Sequence, residues 1–142
     1  MSAFCLGLVA AFSPAPGPSA SIIAAALEAL ALEASGCTVA HTEESSLWQT
    51  FGIMFACAET HDGKEWTTHH EVDISYAGRV IAIKKSIDVT DVPGDVMEAA
   101  EAAGASACTS YWYELMHDIY ELDECAGGEH YEVDATTLEV ES

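Results

Sequence analysis

Trp66-Thr67-Thr68-His69-His70-Glu71-Val72-Asp73-Ile74-Ser75-Tyr76 alternates along its length. In an extended chain, successive side chains point to opposite faces. His70, Val72, Ile74 and Tyr76 therefore share one face, and His69, Glu71, Asp73 and Ser75 share the other. That pattern predicts a half-buried strand. Just before it, His61-Asp62-Gly63-Lys64 places Asp-Gly at the centre of a tight hairpin turn. Earlier still, Phe51–Ala58 is a continuous apolar run of strand length, which predicts a central strand covered on both faces. After Tyr76, Ala77-Gly78 turns the chain into Val80–Ile83. Three strands joined by short turns make an antiparallel meander.

Working outward, the Pro-rich hinge Ser13–Pro18 is followed by Ser19 and Ser21, either of which can cap a helix. Ile22, Ile23, Ala26, Leu27 and Leu30 keep helical spacing, Gly36 is a natural stop, and Cys37–His41 reads as a short strand. A second helix is predicted from Thr90-Asp91-Val92-Pro93, with Val92, Val96, Ala100 and Ala103 on one face and Gly104 at its end. Cys108–Leu122 fits two readings. Trp112, Leu115, Met116, Ile119 and Leu122 suit a helix, whereas Tyr111-Trp112-Tyr113 favours a strand. His130–Thr136 reads as a strand, and Thr137–Val140 as a short last one.

His69-His70-Glu71-Val72-Asp73 recurs as His130-Tyr131-Glu132-Val133-Asp134, each downstream of an Ala-rich helix. The expected fold is therefore α+β: an antiparallel sheet with helices packed on one face, and a tandem helix-plus-meander duplication as one way to explain the recurrence. Residues 1–18 would form an apolar strand and hinge, and residues 19–142 a single domain with repeats at 19–85 and 90–140.

At this level the chain resembles PepSY-like domains, including the group described as β-lactamase-inhibitor-protein-like. The resemblance rests on Asp91-Val92-Pro93-Gly94-Asp95-Val96-Met97-Glu98-Ala99-Ala100 and on Gly128-Glu129-His130-Tyr131-Glu132-Val133-Asp134-Ala135. Asp62-Gly63-Lys64 with His70-Glu71-Val72-Asp73 would belong to a first copy. It covers about residues 19–140 in organisation. It implies an exported, non-catalytic protein that binds or inhibits other proteins. The apolar N-terminus and the long Trp112–Glu124 segment depart from that pattern.

The 142 residues carry a net charge of −20, with four bases against 24 acids. Such a chain repels nucleic acid and anionic membranes and attracts cations or basic proteins. The charge is uneven. Residues 1–27 have none, residues 28–85 hold nine acids and all four bases, and residues 86–142 hold fifteen acids and no base. General adaptation to high salt predicts a more even spread. The five cysteines are odd in number and lack CxxC spacing, which argues against a disulfide scaffold or a zinc ribbon while leaving room for one disulfide. The apolar run Phe4–Phe12 lacks the basic start of an export signal and is too short to span a membrane. A buried or intersubunit strand is the expectation.

Two constellations can bind a divalent metal. His69, Glu71 and Asp73 line one strand face, and His130, Glu132 and Asp134 line another; if the strands were neighbours, the rows would meet. Alternatively, His117 and Glu121 lie one helical turn apart, with Asp123, Glu124, Cys125 and His130 nearby. A solvated polar face accounts for both patterns equally. There is no GxSxG, P-loop or GxGxxG motif, and no catalytic residue or organic cofactor is expected. The leading expectation is a non-enzymatic binding or assembly subunit. Phe4, Leu6, Leu8 and Phe12 would engage a neighbouring copy, and Glu114, Asp118, Glu121, Asp123 and Glu124 would face a basic partner. An acidic inhibitor or DNA mimic is the alternative, and a His/carboxylate metal-binding protein is the third reading. An assembly or virion is the expected location, with export as the alternative.

Overall fold

A computed structural model of the chain describes residues 17–31 and 34–142. The apolar segment with Phe4, Leu6, Leu8 and Phe12, and Cys5, lies outside the described residues. Helix α1 spans Ala20–Leu30, and Ser19 caps it by accepting the Ile22 N–H. The strands β1 (Cys37–Ser45), β2 (Thr50–His61), β3 (Lys64–Ser75) and β4 (Val80–Ile87) follow. A single 3-10 turn at Val89–Asp91 leads to α2 (Gly94–Ala102), with Pro93 at its N-cap. Then come β5 (Ser110–Glu114), β6 (Ile119–Asp123), β7 (Tyr131–Asp134) and β8 (Val140–Glu141). The eight strands form one antiparallel sheet in sequence order. The fold is thus α+β and mostly sheet.

The Asp62-Gly63 turn forms as its residue types demand, with both φ angles positive at 52° and 75°. The Phe51–Ala58 run lies in β2, paired on both edges but next to the outermost strand β1 and not at the centre of the sheet, and it is not covered equally on its two faces. Ile53, Phe55 and Cys57 are buried, while the residues between them are half-buried. The helical option for Cys108–Leu122 is overturned, since two strands and a tight turn occupy it. Asp118 takes φ 55° to make that turn, and cross-strand pairing of Tyr111 and Tyr113 with Leu122 and Tyr120 outweighs the helical spacing. Tyr76, expected to share the inward face, is exposed in the β3–β4 turn.

Apolar burial falls into two clusters. Ala26 and Leu30 of α1 join Ile53, Phe55, Val72 and Ile74. Val96 and Ala100 of α2 join Leu122, Tyr131 and Val133. Strand register carries Phe55, His70, Lys85, Tyr113, Tyr120 and Val133 across the sheet as one row.

The second half repeats the element order of the first, a helix followed by four strands. Cys37 and Cys57 form a disulfide joining the start of β1 to the far end of β2. Cys108 and Cys125 form another, bracketing β5 and β6 in the same way. The cysteine reading is corrected here: the four cysteines among the described residues form two disulfides, because antiparallel pairing brings residues distant in sequence face to face. Gln49 precedes β2 and Asp118 precedes β6, both with positive φ. Their carbonyls accept the N–H groups of Tyr76 and Ala135, each at 2.9 Å.

Candidate functional site around Lys84

Opposite the Phe55 row, alternation and register set a second row: Met54, Glu71, Lys84, Glu114, Ile119 and Asp134. A neighbouring row on the same face runs Ser86, Trp112, Glu121, Glu132 and Glu141. Lys84 is the hub of this face. Its ammonium lies 3.2 Å from Glu121, 3.6 Å from Asp73 and 3.7 Å from Glu71. Burial opposes its charge, but the three carboxylates outweigh burial and raise its pKa. Glu121 is only 6% exposed, and burial lifts its pKa against the pull of Lys84.

Glu71 is pushed up to about 7, first by burial and then by its hydrogen bond and repulsion with Asp73. The native state therefore holds this proton more tightly than the unfolded chain does. The penalty for ionised Glu71 is full above pH 7 and disappears as pH falls from about 7 through the ordinary value of 4.5. Glu71→Gln is expected to stabilise the protein at pH 8 by about 1–2 kcal/mol, after allowing for the partial exposure of the site. At pH 4 the gain should vanish. Urea denaturation at the two pH values checks this, and an equal effect at both would contradict it.

His130 lies beside this cluster. Its Nδ1 is bonded to Asp123, and its Nε2 is 3.5 Å from Glu132. Burial lowers its pKa, but Asp123 and the nearby glutamates more than compensate, so the net shift is upward. Met54, Glu71, Lys84, Trp112, Glu121 and His130 are among the residues lining a groove of about 380 Å³.

The two expected His-Glu-Asp rows are not neighbours, because β4, β5 and β6 lie between β3 and β7. Glu71 and Asp73 serve Lys84, while His69 is exposed opposite Ala56. Asp134 accepts the N–H groups of Thr136 and Thr137, which lowers its pKa. Only His130 and Glu132 of that set come together, and they meet Glu121.

The helical pair His117 and Glu121 is also overturned. His117 sits in the β5–β6 turn, where its ring and N–H both contact Glu114. Glu114 is 4% exposed and also accepts the N–H groups of Ile83 and Met116. It closes a turn and does not face solvent. Glu121 is likewise turned onto Lys84. Asp118 holds the Tyr113 hydroxyl, which pushes that phenol up to about 12. Of the five acids expected to face a partner, Glu124 is exposed, though it accepts from Thr109, and Asp123 is half-buried on His130.

No protein-family model, curated protein or solved structure matches the chain.

Sequence reasoning missed the rim of the sheet. In a meander, alternate hairpins lie at the same end. The tips β1–β2, β3–β4, β5–β6 and β7–β8 share one end, and each exposes a large side chain: Leu47 and Trp48, Tyr76, Met116, and Leu138. Leu47 and Trp48 are 81% and 75% exposed. A sequence signal existed, because an apolar residue in a short polar turn has no core to enter. Among the described residues, no helix is long and apolar enough to cross a membrane.

Proposed function

We propose that this chain is a non-catalytic protein-binding module that engages a basic protein through the apolar rim and the adjoining acidic Lys84 face. The rim carries the proposal. Four tips at one end of the sheet each expose a large apolar group, two of them aromatic, and such groups dominate binding energy when a partner covers them. The surplus of acid supplies attraction and orientation for a basic partner.

We infer further that both helices lie on the Phe55 face, which leaves the Lys84 face open. The two halves would be copies of one unit. Ala34-Ser35-Gly36-Cys37-Thr38 and Ala105-Ser106-Ala107-Cys108-Thr109 support this, because each leads into the first strand of its half and supplies an equivalent cysteine. A repeated helix-plus-meander also agrees with the PepSY-like resemblance. Two disulfides favour an exported protein over an intracellular one, since such bonds persist in oxidising compartments.

The test uses the immobilised full chain and secreted proteins from its source. A basic protein retained by the wild type should be eluted by salt. Its affinity should fall at least about 30-fold in Trp48→Ser/Met116→Ser, the loss expected for removing a central aromatic anchor. Equal affinity for the wild type and the double variant would refute the rim as the binding surface.

A further inference from the structure

The geometry points to a binding site for a divalent transition-metal ion of the zinc class, formed by Glu121, His130 and Glu132. The inference stands apart from the protein-binding reading, because it needs no partner.

Glu121 on β6 and Glu132 on β7 are direct cross-strand partners on one face. Like charges placed opposite each other destabilise a sheet unless a cation or proton lies between them. His130 stands two residues before Glu132, so alternation brings it to the same face. One ligand atom from each of the three residues lies within 4.8 Å of the other two. The separation of His130 Nε2 and Glu132 Oε1 is 3.5 Å. That is close to the edge of a tetrahedron whose metal–ligand bonds are about 2.1 Å long.

The imidazole is oriented for this role. Nδ1 donates to Asp123, which fixes the tautomer and leaves the Nε2 lone pair facing the glutamates. A carboxylate behind a ligating histidine is the usual supporting arrangement. Lys84 holds Glu121 Oε1 at 3.2 Å and fixes that carboxylate from the other side. The adjoining groove leaves room for a fourth ligand, either water or a donor from a partner. One nitrogen and two carboxylates suit zinc or cobalt, whereas calcium and magnesium prefer six or more oxygens.

The experiment titrates the full chain, stripped with chelator, with ZnCl2 and CoCl2 in a calorimeter. One equivalent of each should bind with micromolar or tighter affinity, and cobalt should give the visible spectrum of a four-coordinate site. His130→Gln and Glu132→Gln should each weaken binding by more than 10-fold, and Asp123→Asn by about 10-fold. His117→Gln should leave it unchanged, and neither CaCl2 nor MgCl2 should compete. No zinc binding at about 1 mM metal would overturn the assignment. So would binding that survives His130→Gln, or an equal loss in His117→Gln, which marks diffuse association with surface acids. If His130→Gln fails to fold, nitrogen NMR of the wild type decides, since zinc must shift His130 Nε2; an unmoved resonance rejects the site.

Discussion

Lys84→Met is expected to destabilise the protein by about 3–5 kcal/mol at pH 8, a large part of the stability of a domain this size. The ammonium is the shared counterion of Glu71, Asp73 and Glu121, and it is largely buried. Methionine fills similar volume, so the loss is electrostatic. Glu121 would be left buried without its cation, and Glu71 and Asp73 would repel each other unrelieved. Protonation can relieve that repulsion, so the destabilisation should shrink as pH falls toward 5. Lys84→Met/Glu121→Leu should recover much of the loss, because replacing both partners removes the stranded charge. Chemical denaturation at pH 8 and 5 measures these differences. A loss below about 1 kcal/mol at pH 8 would mean that water already solvates the cluster.

Reduction of the disulfides is the second large effect. The bonds span 20 and 17 residues, and closing loops of that size restricts the unfolded chain by about 3 kcal/mol each. They sit in different halves of the sheet with separate apolar clusters, so their contributions should add. Cys37→Ala/Cys57→Ala and Cys108→Ala/Cys125→Ala should each lower stability by about that amount. Loss of both should leave the chain largely unfolded at 37 °C. Thermal melts of the two double variants and of the reduced wild type test this. A fully reduced protein that melts as the oxidised one does would show that the apolar clusters suffice.

The meander of the first half was legible because Trp66–Tyr76 alternates and Asp62-Gly63 supplies its turn. The second half was harder to read. Trp112, Leu115, Met116, Ile119 and Leu122 satisfy a helical period by coincidence, with a turn hidden among them. The decisive clue lay elsewhere, in the match of Ala105-Ser106-Ala107-Cys108-Thr109 to Ala34-Ser35-Gly36-Cys37-Thr38. Aligned on that match, Cys108 stands two residues before β5 where Cys37 begins β1, and each pairs with a cysteine near the end of the next strand, Cys125 and Cys57. The site was legible only in part. Alternation put His130 and Glu132 on one face, but bringing Glu121 to them depends on the register of β6 against β7, which sequence spacing does not encode. The acidic surface read from charge alone was misleading for Glu114 and Glu121, because a carboxylate with several donors or a lysine beside it can be buried.

The two disulfides also give the sheet a direction. Both lie at the end away from the Trp48 and Met116 tips, where each closes the open end of one hairpin, while neighbouring hairpins meet at the tips without a covalent link. Amide exchange should therefore be slowest near the staples and quicken toward the tips. On the proposed binding role, the tips would adjust to a partner's contour while the stapled end keeps its shape.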